Sequence, residues 1–88
     1  MFSTYILKSE TTGRFYIGST ADLDDRLRRH NEGREKSTKA RGPWVMLFCK
    51  DFETRSEAIK YERYLKSLKN RKYILKLIAS ERDHSSIG

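Results

Sequence analysis

The segment TYILKSETTGRFYIGST, residues 4–20, contains two short runs of aromatic and β-branched residues separated by SETTG. Runs of this composition favour β-strands, and a short connection rich in threonine and glycine is typical of a turn between paired strands. We therefore predict a β-hairpin. Tyr5 lies in its first strand and Tyr16 in its second. Because side chains alternate between faces, the two tyrosines share a face only if the loop between paired residues contains an even number of residues. The sequence permits this arrangement without requiring it.

Three helical segments and one further strand follow the hairpin. DLDDRLRRHNEG has aspartates in its first turn and Gly33 as a stop, TRSEAIKYERYLKSLK has Thr54 and Glu57 at capping-box spacing, and NRKYILKLIASE begins with Asn70 as a cap. WVMLFCKDF is a nearly continuous apolar run, which predicts a strand buried on both faces and central to the sheet. The predicted fold is α/β (α+β), with a three-stranded antiparallel sheet flanked by three helices in one domain over residues 1–80. Residues 81–88 are expected to form a flexible tail.

The first helix should place polar side chains next to its apolar stripe. At 100° per residue, Leu23, Leu27 and His30 form this stripe. Arg26 lies at its edge, one turn before His30, so both side chains can reach one site.

The second helix should carry a carboxylate on its core side. The angle of Glu62 falls between those of Ala58 and Ile59, inside the apolar arc. An uncompensated carboxylate in such a position is costly, so Glu62 needs a cation, hydrogen-bond donors or a metal ion, and a salt bridge to Arg26 would suffice without any catalysis. The apolar face predicted for the third helix consists of Tyr73, Ile74, Leu77 and Ile78.

The charge of the chain predicts a polyanionic partner. The 88 residues contain 19 lysines and arginines against 12 acidic residues, a formal net charge of +7, and a surplus of this size points most often to nucleic acid. No apolar run approaches a membrane-spanning length, and the lone Cys49 has no disulfide partner, so we expect a cytoplasmic protein without a membrane segment. The polar segment REKSTKARGP is predicted to be a basic loop that contacts phosphates through Arg34, Lys36, Lys39 and Arg41.

The order and spacing of four features resemble one known family. Tyr5, the run Tyr16-Ile17-Gly18, Arg26 inside LDDRLRRH and Glu62 inside EAIKYERYLK are similar to the GIY-YIG nuclease domain in its small stand-alone form. The N-terminal nuclease domain of a bacterial excision-repair protein is a related case. The resemblance extends over residues 4–68, most of the chain.

The resemblance implies a fold and an activity. The family has a three-stranded antiparallel sheet flanked by helices, and its members cut phosphodiester bonds of DNA with one divalent metal ion. This implies a Mg²⁺- or Mn²⁺-dependent endonuclease acting in DNA repair or processing, with DNA as its partner and with room for a protein partner that supplies specificity. The catalytic residues carried over by position are Tyr5, Tyr16, Arg26, His30 and Glu62, of which Glu62 is the metal ligand.

These residue types suit phosphodiester hydrolysis, which needs an activated water and neutralised phosphoryl oxygens. Mg²⁺ prefers oxygen ligands and keeps several waters, so Glu62 and a substrate phosphate can hold it. Arg26 offers a planar fork of donors for a phosphate. A phenol is a poor base at its reference pKa of about 10, but a nearby metal or cation favours its phenolate, so Tyr5 is the candidate base and His30 the alternative. Tyr16 would orient water or phosphate.

Two other classes of function stay open. One is a nucleic-acid-binding module of the same fold with a weak or inactive site, which is favoured by Ser3-Thr4 in the place of the glycine and isoleucine of the first half-motif. The other is a structural basic protein, such as a ribosome accessory, that binds RNA without a metal. The retained tyrosines, Arg26 and Glu62 favour the enzyme.

Overall fold

The computed structural model describes residues 1–34 and 41–87, and the last six of these only as helical backbone. The strands are β1 (Phe2–Ser9), β2 (Phe15–Thr20) and β3 (Trp44–Phe52). The helices are α1 (Leu23–Asn31), α2 (Arg55–Ser67) and α3 (Arg71–Ile87). Within the described ranges the strands form one antiparallel sheet with the order β2-β1-β3, which confirms the predicted fold class.

The register of the hairpin answers the question raised by its two tyrosines. Tyr5 pairs with Gly18, and Leu7 pairs with Tyr16. Directly paired residues of antiparallel strands share a face, as do residues two apart on one strand. Tyr5 and Tyr16 therefore lie on the same face, diagonally across the strand pair.

Strand β3 lies at an edge of the sheet, so the prediction that it is central was wrong. The central strand is β1, which pairs with β2 on one side and β3 on the other. The apolar run of β3 has another cause, because helices cover both faces of the sheet. The core has one cluster of side chains on each face of the sheet. Met46 of β3 packs against the cluster on one face, and Leu47 and Phe48 pack against the cluster on the other. A register irregularity at this point, opposite Ile6 and Leu7, places Leu47 and Phe48 in the same cluster.

The two clusters divide the core between the faces of β1. On one face Tyr5 and Leu7 pack with Trp44, and Leu23 and Leu27 of α1 cover them. On the opposite face Ile6 packs with α2 and α3 through the buried side chains of Leu65, Ile74 and Ile78. The tyrosines therefore lie on the α1 side of the sheet.

The starts of α2 and α3 follow the caps predicted at Thr54 and Asn70, and α1 begins with a cap at Asp22 that was not predicted. The Asp22 side chain accepts a hydrogen bond from the backbone N–H of Asp25, and the Thr54 hydroxyl accepts one from Glu57. Asn70 accepts one from the backbone N–H of Lys72. These bonds satisfy amide groups that have no partner inside the helix.

Helix α3 differs from its prediction in two respects. It continues to Ile87, past the predicted domain end at residue 80, and the sequence has no glycine or proline between that point and Gly88 to stop it. The flexibility of residues 81–88 stays a prediction. Tyr73, which was predicted on the apolar face, is 58% exposed, whereas Ile74 and Ile78 are buried.

None of the helices in the described ranges is both long enough and apolar enough to cross a membrane.

Candidate active site

Four of the predicted residues meet on the α1 side of the sheet. The ring centroids of Tyr5 and Tyr16 are 6.4 Å apart, and those of Tyr16 and His30 are 4.8 Å apart. The Tyr5 hydroxyl lies 3.1 Å from Nε2 of His30 and also hydrogen-bonds with the Arg26 side chain. Strands β1 and β2 supply the tyrosines, and α1 supplies Arg26 and His30 from adjacent turns of one helix face.

Gly18 makes room for the Tyr5 ring. A Cβ atom at this position would lie 2.5 Å from the Tyr5 hydroxyl oxygen and 2.7 Å from its Cζ atom, far inside van der Waals contact. Since Tyr5 and Gly18 are cross-strand partners, the ring lies over the glycine backbone. The glycine of the YIG run thus has a steric role in placing the Tyr5 hydroxyl.

The protonation of Tyr5 is set by its surroundings. Burial raises the pKa of the Tyr5 hydroxyl well above its ordinary value of 10.0, and the neighbouring Tyr16 and the charge of Glu62 raise it further. Arg26 lowers it through its charge and a hydrogen bond, by less than the other effects raise it. In the protein alone Tyr5 is therefore a neutral hydroxyl at ordinary pH, and it can take up a proton only if it passes its own proton on.

His30 is positioned to take that proton. It is 2% exposed, in agreement with its predicted place in the apolar stripe of α1. Nε2 faces the Tyr5 hydroxyl. This burial keeps a bulky substrate from touching His30 directly, so His30 would act on a substrate through a neighbouring side chain such as Tyr5.

Glu62 lies on α2, which packs on the face of the sheet opposite the tyrosine rings, and it is partly buried; its charge nevertheless acts on Tyr5. Its side chain is 18% exposed; Oε1 accepts a hydrogen bond of 2.6 Å from Ser19 Oγ, and Oε2 forms an ion pair of 2.6 Å with Lys66 Nζ. The carboxylate on the core side is thus compensated, as its position requires. Arg26 was the cation expected from the sequence, whereas the contacts with Lys66 and Ser19 were not predicted.

Ser3 and Thr4, at the start of the first half-motif, have structural contacts. The Thr4 hydroxyl is fully buried and donates a 2.7 Å hydrogen bond to the backbone carbonyl of Ala58 in α2. The Ser3 hydroxyl donates a 2.6 Å hydrogen bond to Asp51 at the end of β3. The two residues therefore tie β1 to its neighbours. Thr4 points to the face opposite Tyr5, whereas Ser3 lies on the tyrosine face, where its hydroxyl is held by Asp51.

The predicted phosphate-binding residues divide into two groups. Arg34 follows α1 and lies 3.6 Å from Glu32, and the exposed Arg41 precedes β3, its backbone carbonyl accepting a hydrogen bond from Ser9 Oγ. Lys36 and Lys39 lie outside the described residues. The structure does not bring Arg34 or Arg41 into contact with the tyrosine cluster.

Cations that were not predicted as site residues lie close to the site. Lys66 pairs with Glu62 and also lines a cavity of about 580 Å³ together with Tyr16, Lys69 and Arg71. A helical spacing of four residues between Glu62 and Lys66 was a signal in the sequence that could have identified the ion pair.

The residues present suit a magnesium ion better than a transition metal. Across the described ranges, no three side chains of His, Cys, Asp or Glu come together. The donor set is one carboxylate with the Ser19 hydroxyl next to it, which suits a hard cation that retains waters and shares a substrate phosphate. The Glu62 carboxylate has lone pairs beyond those used by Ser19 and Lys66, and the Lys66 side chain is 55% exposed and able to move aside.

The fold and the placement of these residues define a nuclease-type domain, and the chain belongs to the GIY-YIG family. The GIY-YIG catalytic domain matches residues 1–74, and membership in this family implies a nuclease-type function. The resemblance predicted from the tyrosines, Arg26 and Glu62 is thereby confirmed.

Small bacterial proteins are similar to this chain over most of its length. UPF0213 protein YazA of Bacillus subtilis is 38% identical over 69 residues, which cover 77% of this chain and 69% of the relative. UPF0213 protein SSP2268 of Staphylococcus saprophyticus is 38% identical over 76 residues, 85% of this chain and 90% of the relative. The solution NMR structure of UPF0213 protein BH0048 from Bacillus halodurans has a TM-score of 0.57 and 32% identity, and the match covers 90% of this chain and 84% of that one.

Proposed function

We propose that this protein is a metal-dependent endonuclease that hydrolyses phosphodiester bonds of DNA, with a role in DNA repair or processing. The observation that carries the proposal is the meeting of Tyr5, Tyr16, Arg26 and His30 on one side of the sheet, with the charge of the Glu62 carboxylate near enough to act on Tyr5. A purely structural cluster does not need a buried hydroxyl held between an arginine and a histidine. Phosphodiester hydrolysis does, because it requires a cation for the phosphate and a route for the proton of the attacking water.

Arg26 binds and orients the phosphate in this proposal. Its guanidinium stays charged at any working pH and can place paired donors on two phosphoryl oxygens while another donor reaches Tyr5. Tyr16 lies diagonal to Tyr5 on the same face, with its ring centroid 6.4 Å from that of Tyr5, so its hydroxyl would serve the same phosphate or water. Together these groups hold the substrate against the hairpin.

Tyr5 and His30 form the path of the proton. The Tyr5 hydroxyl oxygen accepts a proton from the attacking water while its own proton passes over 3.1 Å to Nε2 of His30. A free phenolate, which burial disfavours, is never required. The two candidates for the base thus act in series, with Tyr5 in contact with water and His30 behind it.

Glu62 would hold the divalent ion, Mg²⁺ or Mn²⁺, with substrate oxygens and waters as the other ligands. When bound, such an ion neutralises charge on the phosphoryl oxygens and lowers the pKa of coordinated water. Ser19 orients the carboxylate by donating to Oε1, and Lys66 balances its charge in the protein without metal.

DNA is the proposed partner, and the basic segment with Arg34, Lys36, Lys39 and Arg41 would contribute contacts to its phosphates. The net charge of +7 supports a polyanionic substrate. A separate protein could supply sequence or structure specificity, because a domain of this size offers little surface for it. A cytoplasmic location is part of the proposal and is supported by the lone cysteine.

A nucleic-acid-binding module without catalysis is the second candidate. The observation that favours it is the compensation of Glu62 by Ser19 and Lys66, which completes the site without a metal ion. In that case Glu62 and Lys66 would be only a structural ion pair.

Cleavage assays separate the two candidates. The wild-type protein is incubated with duplex, single-stranded, flapped and branched DNA in Mg²⁺, in Mn²⁺ and with a chelator, and we expect metal-dependent cleavage of at least one substrate. Glu62→Gln removes both the ion pair and the metal ligand, and it should abolish cleavage. Lys66→Met is the matched control, because it removes the same ion pair but keeps the carboxylate.

The Lys66→Met control shows whether Glu62→Gln loses cleavage through the missing metal ligand or through the missing ion pair. Cleavage by Lys66→Met together with inactivity of Glu62→Gln supports a metal-site carboxylate. If both variants lose cleavage equally and melt at similarly reduced temperatures, the pair is structural. Binding without cleavage under every condition would support the module and refute the enzyme.

A further inference from the structure

A second concavity adjoins the site on the side of the α2 start. It has a volume of about 250 Å³ and lies where β1 begins, β2 ends and α2 begins. Its polar lining comes from Ser19, Thr20, Arg26 and Arg55, and its apolar lining from Phe2, Ala21, Ala58 and Ile59. Arg26 belongs to both this pocket and the tyrosine cluster, so the two sites are continuous.

The charge of this pocket is positive. Among the residues that the structure describes, Arg26 and Arg55 are its charged lining residues, and no carboxylate lines it. They come from different elements, α1 and α2, and the fold brings them together across the end of the sheet. A tetrahedral oxyanion in this cavity would meet the positive charges of both arginines, and Arg55 can present a planar fork of donors to it.

The hydroxyls of the pocket are already engaged. Ser19 Oγ donates to Glu62, and Thr20 Oγ1 donates to the backbone carbonyl of Asp22 and accepts from its N–H. A ligand would therefore be held by the two arginines and not by the hydroxyls. In contrast, the Arg55 side chain has no hydrogen bond or ion pair within the described ranges.

The basic surface continues from the pocket along α2. A neighbouring concavity of about 640 Å³ shares Arg55 and Ile59 with it and adds Lys60 and Arg63. Arg55 and Glu62 lie seven residues apart on the helix, a rise of about 10 Å. The spacing allows one strand to place a phosphate at Glu62 and another at Arg55.

We propose that the pocket between Arg26 and Arg55 is a second phosphate-binding site, which holds a backbone phosphate of the substrate strand a few nucleotides from the bond that is cut. This rests on the proposed nuclease function for its biological meaning. Arg55 is then a positioning residue that contributes to substrate binding, and Arg63 extends the same path. The chemistry of the pocket is that of a phosphate ester or free phosphate.

Binding without metal tests the site independently of cleavage. Fluorescence anisotropy of a labelled duplex and a labelled single strand is measured with chelator over a series of salt concentrations for wild type, Arg55→Ala and Lys72→Ala. Lys72 is the matched control, because it also lies exposed in the first turn of a helix and carries one positive charge, but it does not line the pocket. A titration with inorganic phosphate, followed by NMR shifts at Arg55, separates free phosphate from a nucleic-acid backbone.

We expect Arg55→Ala to weaken DNA binding several-fold and to lower the log–log salt slope by about one unit, as for one lost phosphate contact, while Lys72→Ala leaves both nearly unchanged. Arg55→Lys should restore the slope but only part of the affinity, because the point charge lacks the fork of donors. In the cleavage assay Arg55→Ala should raise KM and keep kcat, the mark of binding lost equally in ground and transition states.

Equal effects of Arg55→Ala and Lys72→Ala on the salt slope would overturn the site, because they would show only a diffuse charge effect. The pocket would also be refuted as a site for DNA phosphates if the wild type bound inorganic phosphate saturably while wild type, Arg55→Ala and Lys72→Ala all bound DNA equally well. If the wild type binds DNA with the expected Arg55 dependence but never cuts it, the nuclease proposal fails and this site stands.

Discussion

Substitution of Gly18 by alanine tests the geometric basis of the site most directly. The added Cβ would lie 2.5 Å from the Tyr5 hydroxyl oxygen and 2.7 Å from Cζ, whereas favourable contacts of this kind are about 3.5 Å or longer. The Tyr5 ring must therefore move by about 1 Å or the strands must separate locally. Tyr5 is 1% exposed and packed between Leu7 and Trp44, so it has no free space into which to move.

The size of the effect follows from this overlap. Overpacking of a closed core costs about 1–3 kcal/mol, and a domain of this size loses roughly 4–8 °C in melting temperature per kcal/mol. We expect Gly18→Ala to melt roughly 5–20 °C below the wild type. A displacement of about 1 Å at a catalytic group can lower the rate about 100-fold, so cleavage should fall by about this factor even where the protein is folded.

The matched control is Gly42→Ala. Its added Cβ would meet Trp44 atoms no closer than 3.5 Å, which is ordinary contact, so its melting temperature and cleavage should stay close to those of the wild type. Differential scanning fluorimetry and single-turnover cleavage below the melting temperature measure both quantities. A Gly18→Ala protein as stable and as active as Gly42→Ala would refute the steric role of Gly18.

The remaining predictions concern Tyr5 and the basic segment. Tyr5→Phe keeps the ring and removes the hydroxyl, so the protein should still fold, with a loss of about 1–3 kcal/mol because the buried Nε2 of His30 loses this hydrogen bond. Turnover should fall about 10²- to 10⁴-fold, and full activity in single-turnover assays would show that Tyr5 serves only the core. Because burial raises the pKa of Tyr5 above 10.0, the folded protein keeps a proton that the unfolded chain releases, and stability present below about pH 10 should be lost as the pH rises further. Between about pH 9 and 11 the melting temperature of Tyr5→Phe should fall less than that of the wild type. The fall that remains in the variant arises from groups such as Tyr61, whose pKa burial also raises. An equal fall in both proteins would contradict this role of Tyr5. Neutralising Lys36, Lys39 and Arg41 together should flatten the salt dependence of DNA binding by up to about one log–log unit per lost contact, and an unchanged slope would remove the segment from the interface.

The sequence predicted the elements of the fold because their signals are local. Hairpin composition, the caps at Thr54 and Asn70 and the 3.6-residue periodicity of the helices each depend on neighbouring residues. The position of β3 in the sheet is not local. A strand with a nearly continuous apolar sequence can be central, or it can lie at an edge whose two faces are covered by helices, and only the helix packing distinguishes these cases.

The residues of the candidate site were also identified from the sequence, but their relations were not. Helical angles placed Arg26 and His30 on one face and Glu62 on the core side. The burial of His30 behind Tyr5 depends on the diagonal register of the hairpin, which the loop sequence leaves open. Arg55 could not be recognised as a site residue from the sequence, because an arginine in the first turn of a helix has no distinctive sequence context. Only the fold shows that it lines the same pocket as Arg26.

The ion pair of Glu62 and Lys66 links stability of the protein without metal to the chemistry proposed for it. A carboxylate that is only 18% exposed needs a positive partner, and the ammonium group of Lys66 supplies one from the next turn of α2. Lys66 is itself 55% exposed, so its displacement by a divalent ion exposes the ammonium to water at little cost. A more deeply buried arginine in this position would hold the carboxylate more firmly and oppose metal binding. The exposed lysine therefore satisfies Glu62 in the free protein and would leave the carboxylate available to the proposed metal ion, through which a substrate phosphate could approach it.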